Sequence, residues 1–244
     1  MATIAERLEH VHARIREACH AAGRPPQAVG LLAVSKTFDA HAVLAAAQAG
    51  QRAFGENYLQ EGVDKIAAVR ALAPQLADDL HWHCIGPIQS NKTRLVAEHF
   101  DWAHTIDRLK TAERLSAQRP PSLAPLNVCI QVNVDGGATK SGAAPQDALA
   151  LAQAVARLPR LVLRGVMAIP DPVEGFEAQR ALHARVRAVF DAIATSGAPG
   201  LAQFDTVSLG MTADLEAAVA AGSTLVRVGS GIFGARPTRA ELAG

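Results

Sequence analysis

Short apolar runs alternate along this chain with alanine-rich stretches whose apolar residues recur at helical spacing. VGLLAVSK is followed by AHAVLAAAQAG, with Gly50 placed to end a helix. RAFGEN is followed by a helix to about Arg70, and HWHCIG by one beginning near Ser90. WAHTID and LNVCIQVNV come next, then the helix DALALAQAVARL, the run LVLRGVMAIP and a long helix from about Gly175 to Ser196. FDTVSLG, the helix ADLEAAVAAG and TLVRVGS complete the series. About eight strands, each but the last followed by a helix or room for one, predict an α/β fold: a single (β/α)8 TIM-type barrel. Continuous apolar runs suit strands buried on both faces of a parallel sheet. A doubly wound open sheet has the same periodicity and stands as the alternative. A helix over about residues 3–22 precedes the first strand, and residues 1–244 read as one domain, with PPSLAP a loop and not a boundary.

Composition narrows the partners. The chain is 49% hydrophobic and 19% charged with a net charge of +1, enough apolar residue for a large core. Basic residues are scattered, with no basic block and no aromatic interleaving, so nucleic acid is not the expected partner. No apolar run reaches the length of a membrane span, and MATIAERLEHVHARIREACHAAG carries charge throughout, unlike a signal peptide. Cys19, Cys84 and Cys129 lie far apart and read as reduced thiols of a cytoplasmic protein. A cytoplasmic monomer with no membrane partner is the expectation.

Gly229, Gly231 and Gly234 in VGSGIFGAR match G-x-G-x-x-G, the dinucleotide fingerprint. That motif needs a βαβ unit of about 30 residues. Only ten residues follow Gly234, so a nicotinamide or flavin site is not expected. In a parallel barrel, however, the loops after strands seven and eight often hold phosphate. Here they are Ser208-Leu209-Gly210-Met211 and Gly229-Ser230-Gly231, small enough to aim backbone N–H groups at an anion, with a helix expected from about Thr212. Lys36 ends strand one, which barrel closure makes the neighbour of strand eight. A partly desolvated amine has a lowered pKa and can attack a carbonyl. An amine beside a phosphate cup suits an aldehyde joined to a phosphate across a small ring, the shape of pyridoxal 5′-phosphate (PLP).

AVSKT, FGEN, HWHCIGPIQSNKTR, HTIDR, QVNV with TKSG, LRGVMAIP and DTVSLGM with GSTLVRVGSGIFGAR occur in that order over nearly the whole chain. Together they resemble the YggS/PROSC family of PLP homeostasis proteins, WHCIGPIQSNK being the most specific segment. The resemblance implies the barrel of the alanine racemase N-terminal domain, with PLP held as an internal aldimine on Lys36. It implies that Ser208, Gly210, Met211, Gly229 and Ser230 surround the phosphate, that Arg227 faces the pyridine nitrogen, and that Asn57 lies near the ring. It also implicates Lys140, in TKSG, in handling PLP. Two positions depart from the family pattern. Lys36-Thr37-Phe38-Asp39 stands where the family reads K-T-K-P, removing a second lysine, and Cys84 replaces an aromatic residue or methionine.

Other candidates are weaker. His81 and His83 alternate onto one face of a strand, but no third metal ligand suggests itself, so packing is expected and no metal. GGATKSG lacks the G-K-[ST] of a phosphate-binding P-loop. Asp171 and Glu174 fall on a loop. PLP enzymes that labilise a Cα bond usually set a carboxylate against the ring nitrogen; an arginine there keeps that nitrogen unprotonated. A racemase of this fold also draws a tyrosine base from a second domain, whereas this sequence ends as the barrel closes and its one tyrosine, Tyr58, follows strand two. The expected function is therefore a carrier that buffers PLP in vitamin B6 homeostasis, binding small amino acids and passing PLP to apo-enzymes, without turnover. A PLP-dependent racemase and a barrel binding another phosphorylated metabolite non-covalently are the alternatives.

Overall fold

Parallel pairing runs unbroken around one sheet. The computed structural model describes residues 2–136 and 141–235. Its strands are β1 (Gly30–Val34), β2 (Ala53–Glu56), β3 (His81–Cys84), β4 (Trp102–Ile106), β5 (Leu126–Gln131), β6 (Leu161–Met167), β7 (Thr206–Ser208) and β8 (Leu225–Val228). They pair in chain order and β8 returns to β1, so the sheet is a closed barrel and not an open one. The helices are α1 (Ile4–Ala21), α2 (Ala40–Gln48), α3 (Leu59–Leu72), α4 (Pro74–Ala77), α5 (Thr93–His99), α6 (Leu109–Gln118), α7 (Pro145–Val155), α8 (Phe176–Ala194), α9 (Leu215–Ala220) and α10 (Ser230–Phe233).

Alternation along each strand sorts side chains between two compartments. In β1, Leu31 and Ala33 join the large core shared with the helices, whereas Leu32 and Val34 pack with Ile85 in a separate cluster inside the barrel. Leu32 lies opposite Arg227 in the β1–β8 register, which puts Arg227 on the same interior side.

α1 begins with a capping box: the Glu6 N–H donates to Thr3 Oγ1 at 3.2 Å and the Thr3 N–H to Glu6 Oε2 at 2.7 Å. Its buried face, Leu8, Val11, Ile15, Ala18 and Cys19, follows the helical repeat and packs on α9 and α10. Arg14 donates to Glu216 at 2.9 and 3.0 Å and to the Thr212 carbonyl at 3.0 Å, tying α1 to the loop after β7.

The helix expected near Thr212 begins only at Leu215. Asp214 accounts for the delay, because its Oδ1 accepts the Met211 N–H at 2.6 Å and holds residues 212–214 in a turn. The helix expected near Ser90 begins at Thr93. Neither α4 nor α10 is signalled by the apolar pattern, which leaves only room for α6.

Gly165 stands where the β5–β6 register shifts, and a Cβ there would collide with the Thr206 carbonyl of β7. Backbone cannot move aside as a flexible side chain can. Gly165→Ala is expected to cost about 3 kcal/mol through overpacking, read from urea denaturation.

Candidate functional site

The C-terminal ends of the strands surround a pocket of about 460 Å³. β1 and its turn contribute Val34, Lys36 and Phe38; the turns after β2 and β3 contribute Asn57 and Ile85. Ile169 follows β6, and Met211, Thr212 and Ala213 follow β7. Arg227, Gly229 and Ser230 complete the wall from β8. Six of the eight residues expected around a ligand thus meet in one pocket: Lys36, Asn57, Met211, Arg227, Gly229 and Ser230.

The other two lie behind the wall. Ser208 is fully buried, and its hydroxyl and carbonyl oxygens each accept from Arg227 Nη1 at 2.7 Å. Gly210, at φ +85°, turns its carbonyl back to accept the Arg227 N–H at 3.0 Å. Both therefore hold Arg227 and do not line the pocket. Met211 lines the pocket, but its N–H is committed to Asp214. Lys140 lies outside the described residues.

Arg227 is 4% exposed. Its Nη2 donates to the Ala168 carbonyl at 2.9 Å, so every acceptor that it meets is neutral. Burial lowers its pKa to about 10, with Asp214 and Cys129 opposing the shift, and the guanidinium stays charged at neutral pH. Three of its five side-chain N–H groups are used in these bonds, leaving Nε–H and one Nη2–H.

Lys36 sits two residues beyond β1, in a turn that buried charges hold. Ser35 still donates its N–H to the Gly55 carbonyl at 3.0 Å, continuing the ladder. Thr37 then takes φ +70°, a left-handed conformation costly for a β-branched residue. Its N–H donates to Glu61 Oε1 at 2.6 Å. Lys65 of α3 donates to that same oxygen at 3.0 Å, to Glu56 Oε1 at 2.6 Å and to the Ser35 carbonyl at 2.7 Å. Ser35 Oγ donates to Glu56 Oε1 at 2.6 Å. Desolvation raises the Glu56 pKa despite Lys65 and Ser35 beside it. This network was missed, although Glu56 lies in the quoted FGEN and Lys65 and Glu61 stand at i,i+4 on one helix.

The two departures from the family pattern have physical explanations. Phe38 lines the pocket and stacks on Phe233 with ring centroids 5.1 Å apart. Asp39 N-caps α2, accepting the Ala42 N–H at 2.9 Å. Cys84 is fully buried, and desolvation pushes its thiol pKa up to about 12.

His81 and His83 do not act as a pair. His81 is exposed at the start of β3, whereas His83 is buried, with its Nδ1 2.9 Å from His104 Nε2. Among the described residues no group of three or more metal-ligating side chains occurs. His104, which the sequence analysis did not single out, also has its Nδ1 3.3 Å from Ser208 Oγ.

The description "Alanine racemase, N-terminal domain" matches residues 7–237. The chain belongs to this family. It is 57% identical over 237 residues to the pyridoxal phosphate homeostasis protein of Pseudomonas aeruginosa, covering 97% of each chain. A protein from Bifidobacterium adolescentis shares the fold at a TM-score of 0.87 and 34% identity, covering 94% of each chain. PipY of Synechococcus elongatus, solved with PLP bound, has a TM-score of 0.80 and 36% identity, covering 95% of this chain and all of PipY.

Burial of His104 makes stability depend on pH. Desolvation lowers its pKa from 6.5 to about 3, with Arg227 adding to the shift. The unfolded chain takes up this proton first, so stability falls as pH drops below about 6.5. At pH 5 the loss from His104 is about 2 kcal/mol relative to neutral pH. Urea denaturation at pH 7 and pH 5 should show a smaller acid loss in His104→Gln than in the unsubstituted protein. Equal losses would remove His104 as the cause.

Proposed function

We propose that the barrel mouth binds PLP through Lys36 and Arg227, and that the protein holds and delivers the cofactor without turning over a substrate. The observation that carries this reading is one pocket lined by a primary amine and by a buried guanidinium that, among the described residues, is bonded only to neutral acceptors. When bound, PLP supplies an aldehyde that condenses with amines and a pyridine ring that withdraws electrons. Lys36 offers the amine from a turn fixed by the Glu61–Lys65–Glu56 network. Arg227 offers its remaining N–H groups to the ring nitrogen and, having no acceptor, holds that nitrogen unprotonated. Of the other residues lining the pocket, Asn57 would lie beside the ring, and Gly229, Ser230 and Thr212 would hold the phosphate, Thr212 in the place expected of Ser208 and with its carbonyl anchored by Arg14.

The similarity to proteins named for PLP homeostasis supports a buffering role in vitamin B6 supply. Small amino acids and apo-enzymes are the partners this role requires. Three buried free cysteines suit a reducing compartment, and we place the protein in the cytoplasm as a monomer. Among the described residues no helix is long and apolar enough to cross a membrane.

Borohydride reduction of the PLP-loaded protein, followed by mass spectrometry, should place the pyridoxyl mass on Lys36, and Lys36→Ala should lose it. A pyridoxyl mass on Lys65 or Lys92 would overturn the assignment.

Turnover is tested separately. Incubating the loaded protein with L-alanine in deuterated water should show negligible exchange at Cα by NMR, while an added apo-enzyme gains activity. Exchange at rates typical of PLP enzymes would mean that the barrel supplies its own base and is an enzyme.

A further inference from the structure

Arg227 begins a chain of hydrogen bonds that runs away from the pocket into the barrel. A guanidinium only donates, so Ser208 Oγ accepts from Arg227 Nη1. The hydroxyl proton of Ser208 then needs an acceptor of its own, in a residue with no solvent exposure. The hydroxyl's other side-chain neighbour within hydrogen-bond distance is His104 Nδ1, at 3.3 Å. Once that nitrogen accepts, the imidazole proton of His104 must sit on Nε2, where it faces His83 Nδ1 at 2.9 Å. His83 accepts there, and its own proton moves to Nε2.

We propose that Ser208, His104 and His83 are positioning residues for Arg227, linked in a one-way chain in which Arg227, Ser208 and His104 each donate to the next member, away from the pocket. The proposal rests on the reading of Arg227 as the partner of the PLP ring nitrogen. The opposite polarity would have His104 Nδ1–H donating to the second lone pair of Ser208 Oγ, leaving the buried hydroxyl proton without an acceptor. The one-way chain gives that proton the lone pair of His104 Nδ1. It holds the guanidinium in a single rotation, with Nε–H and one Nη2–H unspent, and keeps both imidazoles neutral. The charges facing the pair agree: Arg227 on β8 and Arg164 on β6 are cations, His81 adds to them if protonated, and burial acts in the same direction. His83 also stacks on Trp102 at 5.0 Å, and Trp102 carries Arg164 over its ring at 4.7 Å, so the far end of the chain is fixed as well.

The protonation pattern can be read without any cofactor. Long-range ¹H–¹⁵N NMR of the apo-protein should show His83 and His104 as neutral Nε2–H tautomers, unchanged between pH 8 and pH 6. An Nδ1–H tautomer at His104, or titration of either ring in that range, would overturn the proposal whether or not PLP binds. In the loaded protein, Ser208→Ala and His104→Phe should weaken PLP binding about tenfold by freeing the guanidinium. Both should also change the pH profile of the visible band, because the ring nitrogen becomes able to protonate. His104→Gln, which restores an acceptor for Ser208, should recover much of the original profile. Unaltered affinity and spectrum in both Ser208→Ala and His104→Phe would refute the positioning role while leaving PLP binding intact. Failure of the unsubstituted protein to bind PLP would instead overturn the function proposed above and, with it, the purpose assigned to the chain; the tautomers would still report its polarity.

Discussion

Where β8 pairs with β1, Leu32 faces Arg227 and Ala33 faces Val228, so the turns at Lys36 and Gly229 leave the sheet side by side. The approach is close: a Cβ on Gly229 would stand 3.1 Å from the Val34 carbonyl. Register matters here more than proximity. Side chains alternate with a period of two, and a slip of one residue in β8 would turn Arg227 out toward the helices. Barrel closure in this register therefore supplies the pocket with its amine and its guanidinium together. The first glycine of the dinucleotide-like motif, Gly229, serves this seam, where a residue without a side chain lets the two turns lie together.

Two sets of buried charge flank the Lys36 turn and the pocket, and they are built differently. Lys65 is neutralised by carboxylates, so the cost of desolvating it is offset by contacts at 2.6 and 3.0 Å. Such a pair adds little net stability against an apolar alternative, but removing one partner strands the other. Its position under Ser35 and Thr37 points to a local task, holding a left-handed residue immediately after the amine. Among the described residues Arg227 has no carboxylate within its hydrogen-bonding reach, and it leans on carbonyl and hydroxyl oxygens. One network fixes a backbone turn; the other leaves a positive charge at the pocket wall.

The strands were legible because both their faces are buried and their apolar runs are continuous. Contacts made across the barrel were not legible, since periodicity says whether a side chain points inward but not which inward residues meet. Ser208 thus read as a phosphate ligand when its partner is Arg227, and His104 drew no attention. A local signal was available for Asp214, because aspartate is a favoured N-cap and ADLEAAVA could have been started there. That reading would have moved the helix from Thr212 to its observed start at Leu215. The H-x-H pair divides, one ring packing in the barrel and the other lying at the surface. Parity placed both rings on one face, but His81 stands at the exposed start of β3 while His83 is enclosed with Trp102 and His104.

The choice of arginine bears on the difference between holding a cofactor and working with it. A buried cation is costly, and burial does lower the pKa of Arg227, yet at about 10 it remains protonated at neutral pH. A lysine or histidine at the same depth would have shed its proton far more readily. The guanidinium thus gives the pocket wall a fixed polarity, donors only, at any physiological pH. On the proposed reading, a ring nitrogen meeting that wall has to accept and cannot carry a proton. Affinity is then gained through a charge-assisted hydrogen bond, while the protonated ring that amino-acid chemistry relies on is not formed. The proposed neutral chain through Ser208, His104 and His83 fits the same demand, since Ser208 and His104 each accept from the side of Arg227 and pass their own proton on, and His83 accepts at its end.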